Sequence, residues 1–64
     1  MSEVEKFKLL LKHYIEHSKE HTDKYLEWAE KLKKDRPDVS KILYEAVSKF
    51  KEGEELLKKA YEAL

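Results

Sequence analysis

Lys34-Asp35-Arg36-Pro37-Asp38 is the stretch that decides how this chain folds. Pro37, the single proline, disfavours helical geometry at Arg36 and suits the first turn of a new helix. Asp35 is a good N-cap, and Asp38, three residues on, comes close to completing a capping box. Upstream no glycine or proline interrupts the chain; downstream only Gly53 does. The expectation is one domain, 1–64, with helix one over about 3–34, a turn at 35–37 and helix two over about 38–63. So short a connection makes the helices antiparallel neighbours, an all-α two-helix hairpin.

Hydrophobic spacing on either side agrees. Helix one carries Val4, Phe7, Leu11 and Tyr14, then Tyr25, Trp28 and Leu32, in steps of three and four, with Ser18 and His21 filling the places between. Leu10, Ile15 and Ala29 widen that seam. Helix two repeats the rhythm through Val39, Leu43, Ala46, Phe50, Gly53, Leu57, Ala60 and Leu64, flanked by Ile42, Val47 and Tyr61. The seam keeps its phase across Gly53, so helix two runs through it, at a cost of about 1 kcal/mol against alanine. Glu3 and Glu5 open helix one and Lys31, Lys33 and Lys34 close it, matching the helix dipole. On a helical wheel the apolar arc of helix two spans roughly 140° and that of helix one is about as broad, wider than the roughly 100° one neighbour uses. Two helices cannot cover both faces of each other. The expected assembly is therefore a homodimer forming a four-helix bundle, or a higher oligomer.

Composition points the same way. A chain of 64 residues buries only about 60% of its unfolded surface and usually needs disulfides, a metal or self-association. Cysteine is absent, which leaves metal binding or pairing. The 14 basic and 14 acidic side chains cancel, which argues against nucleic acid as a partner. No apolar run approaches the roughly 20 residues that span a bilayer, so no membrane role and a cytoplasmic location are expected. Asparagine and glutamine are missing while lysine and glutamate abound, a usage shared with hyperthermophile proteins.

All three histidines fall in one row, His13, His17 and His21, at i, i+4 and i+8. Adjacent members project from neighbouring turns, so their imidazoles can chelate one ion, and imidazole suits zinc, nickel and copper. Glu16 and Glu20 lie on nearby turns, as ligands or as acceptors for the second ring N–H. His13 and His21 are about 12 Å apart along the helix, so one helix supplies two ligands and the rest come from elsewhere. In an antiparallel hairpin His21 should face the region of Phe50 to Glu54. Ser18 and Gly53 are small at that level, so a polar pocket lined by His17, His21 and Glu54 is the site to look for. Each residue also has a plainer reading. His21 can be a core histidine bonded to Tyr25, Ser18 or Glu54, and His13 an ordinary surface residue. The tyrosines and Trp28, at helical spacing, read as core. Most carboxylates stand four residues from a lysine and read as a solvated face. With no oriented nucleophile–base pair and no phosphate loop, an enzyme is not expected.

The stretch Leu11-Lys12-His13-Tyr14-Ile15-Glu16-His17, followed by Glu20-His21, Tyr25 and Trp28-Ala29-Glu30, resembles a small helical-hairpin domain of uncharacterised function from archaea and anaerobic bacteria, with the pattern His-Trp/Tyr-Ile-Glu-His-x-x-x-His. It is similar to the segment appended to nickel-binding accessory proteins of carbon monoxide dehydrogenase maturation. The resemblance implies that His13, His17 and His21 are signature positions and that nickel is the first metal to test. Two functions are carried forward. One is a homo-oligomeric hairpin binding a divalent transition metal, nickel or zinc, through His17 and His21 with His13 auxiliary and Glu16, Glu20 or Glu54 assisting, in storage or as an accessory protein. The other is an assembly or protein-interaction module without metal or catalysis, its partner surface near Leu9, Leu26 or Leu56 if one exists.

Overall fold

A computed structural model describes residues 2–64, which form two helices, α1 over Glu3–Leu32 and α2 over Pro37–Ala63. They pack against each other as a hairpin, with no strand among the described residues. Ser2 starts α1: its hydroxyl accepts the Glu5 N–H at 3.2 Å, satisfying one of the donors a helix leaves open at its beginning. α1 stops at Leu32, short of the expected 34. Lys33 still has helical dihedrals and bonds back to the Glu30 carbonyl, and the Arg36 N–H reaches the Leu32 carbonyl at 2.8 Å. No described residue takes positive φ, so the reversal needs no glycine.

The start of α2 differs from the capping box expected of Asp35 and Asp38. Pro37 occupies the first helical position, where its fixed φ fits, and the cap therefore falls on Arg36, whose side chain makes no capping bond. Instead the Arg36 guanidinium forks onto the Asp38 carboxylate, with Nε to Oδ1 and Nη2 to Oδ2 both 3.2 Å. That fork, helped by the Val39 backbone N–H, holds the Asp38 carboxyl below its ordinary 3.8. A depressed carboxyl pKa contributes stability that is complete above 3.8 and is lost as pH falls through the folded value. Asp38→Asn should therefore lower thermal stability slightly near neutrality, where the contribution is complete, and flatten the acid limb below about pH 4, so that variant and parent converge there. An acid limb as steep as the parent's would remove this role from Asp38.

The line of contact between the helices runs beside the aromatic-rich seam rather than along it. Leu11, Ala29 and Val47 are buried, together with Thr22 and Ser40. Ile15, Ser18 and Leu26 of α1 and Leu43, Glu54 and Tyr61 of α2 are half-buried around them. Two polar clasps cross this line. The Ser40 hydroxyl donates to the Ala29 carbonyl at 2.6 Å. Glu54 Oε2 accepts from Thr22 at 2.6 Å and from Ser18 at 3.2 Å. The Thr22 hydroxyl also lies 2.9 Å from the Ser18 carbonyl, but it has one proton, and the nearer, charged carboxylate is the stronger acceptor. Near the turn the Tyr44 hydroxyl donates to Glu30, which raises the Tyr44 pKa above 10.0. At the open end the Lys8 ammonium lies 5.5 Å from the centre of the Tyr61 ring.

This arrangement leaves much apolar surface in water. Phe7, Tyr14, Tyr25 and Trp28 of α1 and Phe50 and Leu57 of α2, all assigned to the seam on spacing alone, are exposed, Trp28 by 55%. The molecule measures 51 × 15 × 12 Å, with a radius of gyration of 15.1 Å. A globular chain of this length would have about 11 Å. No helix among the described residues is long and apolar enough to cross a membrane.

Candidate functional site

The helical period fixes where the histidines stand. His21 lies on the same stripe of α1 as Phe7, Tyr14 and Trp28, each seven residues apart, and His17 borders it. His13 lies further round, toward solvent. All three are exposed. Their rings form a ladder continued by aromatic side chains. His13 and His17 lie 6.0 Å apart and nearly parallel, and His17 and His21 lie 4.6 Å apart, edge to face. His21 stacks on Tyr25 at 6.3 Å, and Tyr25 on Phe50 of α2 at 5.6 Å.

Within this ladder His17 and His21 differ from His13 in one respect. Their Nε2 atoms approach to 3.1 Å, so one ring donates its N–H and the other accepts. Two imidazole nitrogens bound to one ion at about 2.0–2.1 Å stand about 2.9 Å apart at a right angle and about 3.4 Å apart at the tetrahedral angle. The observed separation falls inside that interval, so the two rings already have the bite of a chelate. The i,i+4 spacing makes this possible, and stacking on Tyr25 steadies the His21 ring.

The acidic candidates lie elsewhere. Glu54 was expected beside His17 and His21, but its carboxylate turns into the contact between the helices, where Thr22 and Ser18 hold it. Residue 54 falls on the line Ser40, Val47, Glu54, Tyr61, which faces α1 at heptad spacing, while the histidines face away from that line. His21 accordingly bonds to His17, and not to Ser18, Tyr25 or Glu54. Glu16 lines a shallow groove on the opposite side of the hairpin with Ile15, Lys19, Lys58, Glu55 and the edge of Glu54. Glu20 is exposed on the outer side of α1. Among the described residues no group of three or more His, Cys, Asp or Glu converges to hold an ion. His17 and His21 are therefore two adjacent imidazoles from one helix, with no third such ligand converging on them among the described residues.

Thr22 and Ser40 escaped the sequence reading, although both are buried and bonded. The available signal was spacing: Ser18 and Thr22 lie one turn apart, and Ser40 and Glu54 stand two heptads apart on one stripe.

With its hairpin and histidine ladder, the chain belongs to a family described as a domain of unknown function (DUF8180), whose profile it matches over residues 7–64. A relative from Archaeoglobus fulgidus, described as an uncharacterized protein, is 46% identical over 57 residues, covering 89% of this chain and 92% of its own length. The chain is thus a small helical domain of that family, with an uncharacterized relative in an archaeon. No solved structure matches it.

Proposed function

We propose that this chain is a self-associating helical hairpin that binds a divalent transition metal, nickel or zinc, through His17 and His21, as a storage or accessory protein of the cytoplasm without catalysis. The observation that carries the reading is the 3.1 Å approach of the two Nε2 atoms on one exposed stripe. His13, turned toward solvent and stacked on His17, is auxiliary. Glu16 and Glu54 leave the ligand set because they face other surfaces, and Glu20 keeps at most an outer role. The similarity to the segment appended to nickel-binding accessory proteins of carbon monoxide dehydrogenase maturation puts nickel first. Protons compete with the metal for the imidazole lone pairs, so acid below about pH 6 should release it.

The test is a titration of apo-protein, made without a histidine tag, with nickel chloride and zinc chloride while its melting temperature is followed. Free metal at a hundred times its dissociation constant should stabilise the chain by about 2.7 kcal/mol, a rise of about 10 °C or more for a domain this small. No rise with either metal at tenfold molar excess would falsify the reading. A second reading, an assembly or interaction module without metal, is favoured by the exposed apolar stripe. It requires a melting temperature that rises with protein concentration and ignores chelator.

A further inference from the structure

The open side of the hairpin is one surface. Stacking of Tyr25 on Phe50 joins the α1 stripe to the α2 stripe. Stepping by three and four from Phe7 to Leu32, the α1 stripe is aliphatic and aromatic except at His17 and His21. Stepping likewise from Ile42 to Leu64, the α2 stripe contains no charged residue. We propose that a second copy of this chain covers this surface, its α1 antiparallel to the first α1, so that the two His17–His21 pairs meet and together bind one divalent transition cation. The inference rests on the metal reading above and adds the partner, the stoichiometry and the missing ligands.

Surface area matches a second copy as the occupant. A folded monomer of 7.7 kDa exposes about 4,300 Å². This chain exposes 5418 Å². The surplus, about 1,100 Å², is close to the roughly 800 Å² per partner that a stable interface buries. Symmetry then places the histidines. A twofold axis through the middle of a self-complementary face brings residues near that middle against their own copies. On α1 the midpoint between Phe7 and Leu32 falls between His17 and His21.

Gly53 adds an independent observation at the same level, which the Ser18–Glu54 bond fixes. Its φ is not positive, and a Cβ built there would meet nothing within 4 Å, so the single hairpin makes no use of a glycine at this position. A second α2 crossing close by would, because mid-helix glycine otherwise only weakens the helix. Ligand count closes the argument. Zinc-type sites take four donors, one chain brings two, and His17 and His21 are the histidines the described residues place on this face. Covering the face takes the rings out of water, and a shared ion satisfies the lone pairs that burial would otherwise strand.

Native mass spectrometry and sedimentation equilibrium of the full chain, with zinc chloride and nickel chloride in turn, test this. The expected result is one ion per two chains, with the dimer dissociation constant lowered about tenfold or more at saturation. One ion per chain with association unchanged overturns the shared site and leaves the metal reading standing. No bound ion overturns both. Trp28→Glu places a charge on the face at a residue outside the hairpin contact, and should give a helical monomer by circular dichroism that no longer binds one ion per two chains. Phe50→Glu repeats the test from α2, and Lys51→Glu, on the far side, should behave as the parent does. A dimer sharing one ion in both face variants would sink the proposal.

Discussion

His17→Ala should bind nickel and zinc about a hundredfold or more weakly than the parent chain, while His13→Ala should lose far less. Losing a partner that merely orients a ligand costs roughly 10–100-fold in metal affinity, so losing a ligand should reach at least the upper end of that range. The structure separates the two histidines although the sequence spaces them alike. His17 Nε2 stands 3.1 Å from His21 Nε2, whereas His13 meets His17 only through parallel faces 6.0 Å apart. Isothermal titration of both variants reads the difference directly. Equal losses would mean that the whole row binds, by a geometry other than the chelate described; no loss in His17→Ala would mean that any bound metal sits elsewhere.

Leu11→Ala should lower the unfolding free energy by about 2–4 kcal/mol. Leu11, 2% exposed, is among the described residues the one large side chain fully enclosed by the hairpin. Domains below about 70 residues seldom hold more than about 3–5 kcal/mol, so one such cavity removes most of the stability. Urea titration followed by circular dichroism at fixed chain concentration measures the loss. Leu9→Ala serves as the comparison, since Leu9 stands 61% exposed on the outer side of α1 and should change stability by no more than about 0.5 kcal/mol. A loss below about 1 kcal/mol in Leu11→Ala would mean that the helices do not meet along the line described.

Much of the architecture was legible because its signals are local. Pro37 announces the second helix, steps of three and four mark both faces, and the short connection makes the helices antiparallel. What spacing could not decide was which edge of each broad apolar arc the helices turn toward one another. Ranking by hydrophobicity favours Phe7, Tyr14, Trp28 and Phe50, yet the hairpin closes over Leu11, Thr22, Ala29, Ser40 and Val47, smaller side chains that let two helices come close. Hydropathy scores a hydroxyl as a surface group and does not register that Thr22 and Ser18 have a carboxylate waiting across the contact. The same ambiguity misplaced Glu54: rotating each helix by part of a turn moves it from beside the histidines to the line it occupies. The His17–His21 pair was legible because four-residue spacing on a helix needs no tertiary information, whereas the orientation of their nitrogens required coordinates.

The two polar clasps also act as a ratchet against sliding. Were α2 to slip along α1 by one heptad, hydrophobic contacts could re-form, because the apolar rhythm repeats, but Glu54 would leave both hydroxyls and Ser40 would leave the Ala29 carbonyl. Losing these bonds leaves hydroxyls and a half-buried carboxylate without their partners, which costs more than a mismatched methyl group, so one alignment is favoured among several that greasy residues alone would tolerate. The outward face is thereby held in one shape, however loosely the rest of this slender molecule is filled.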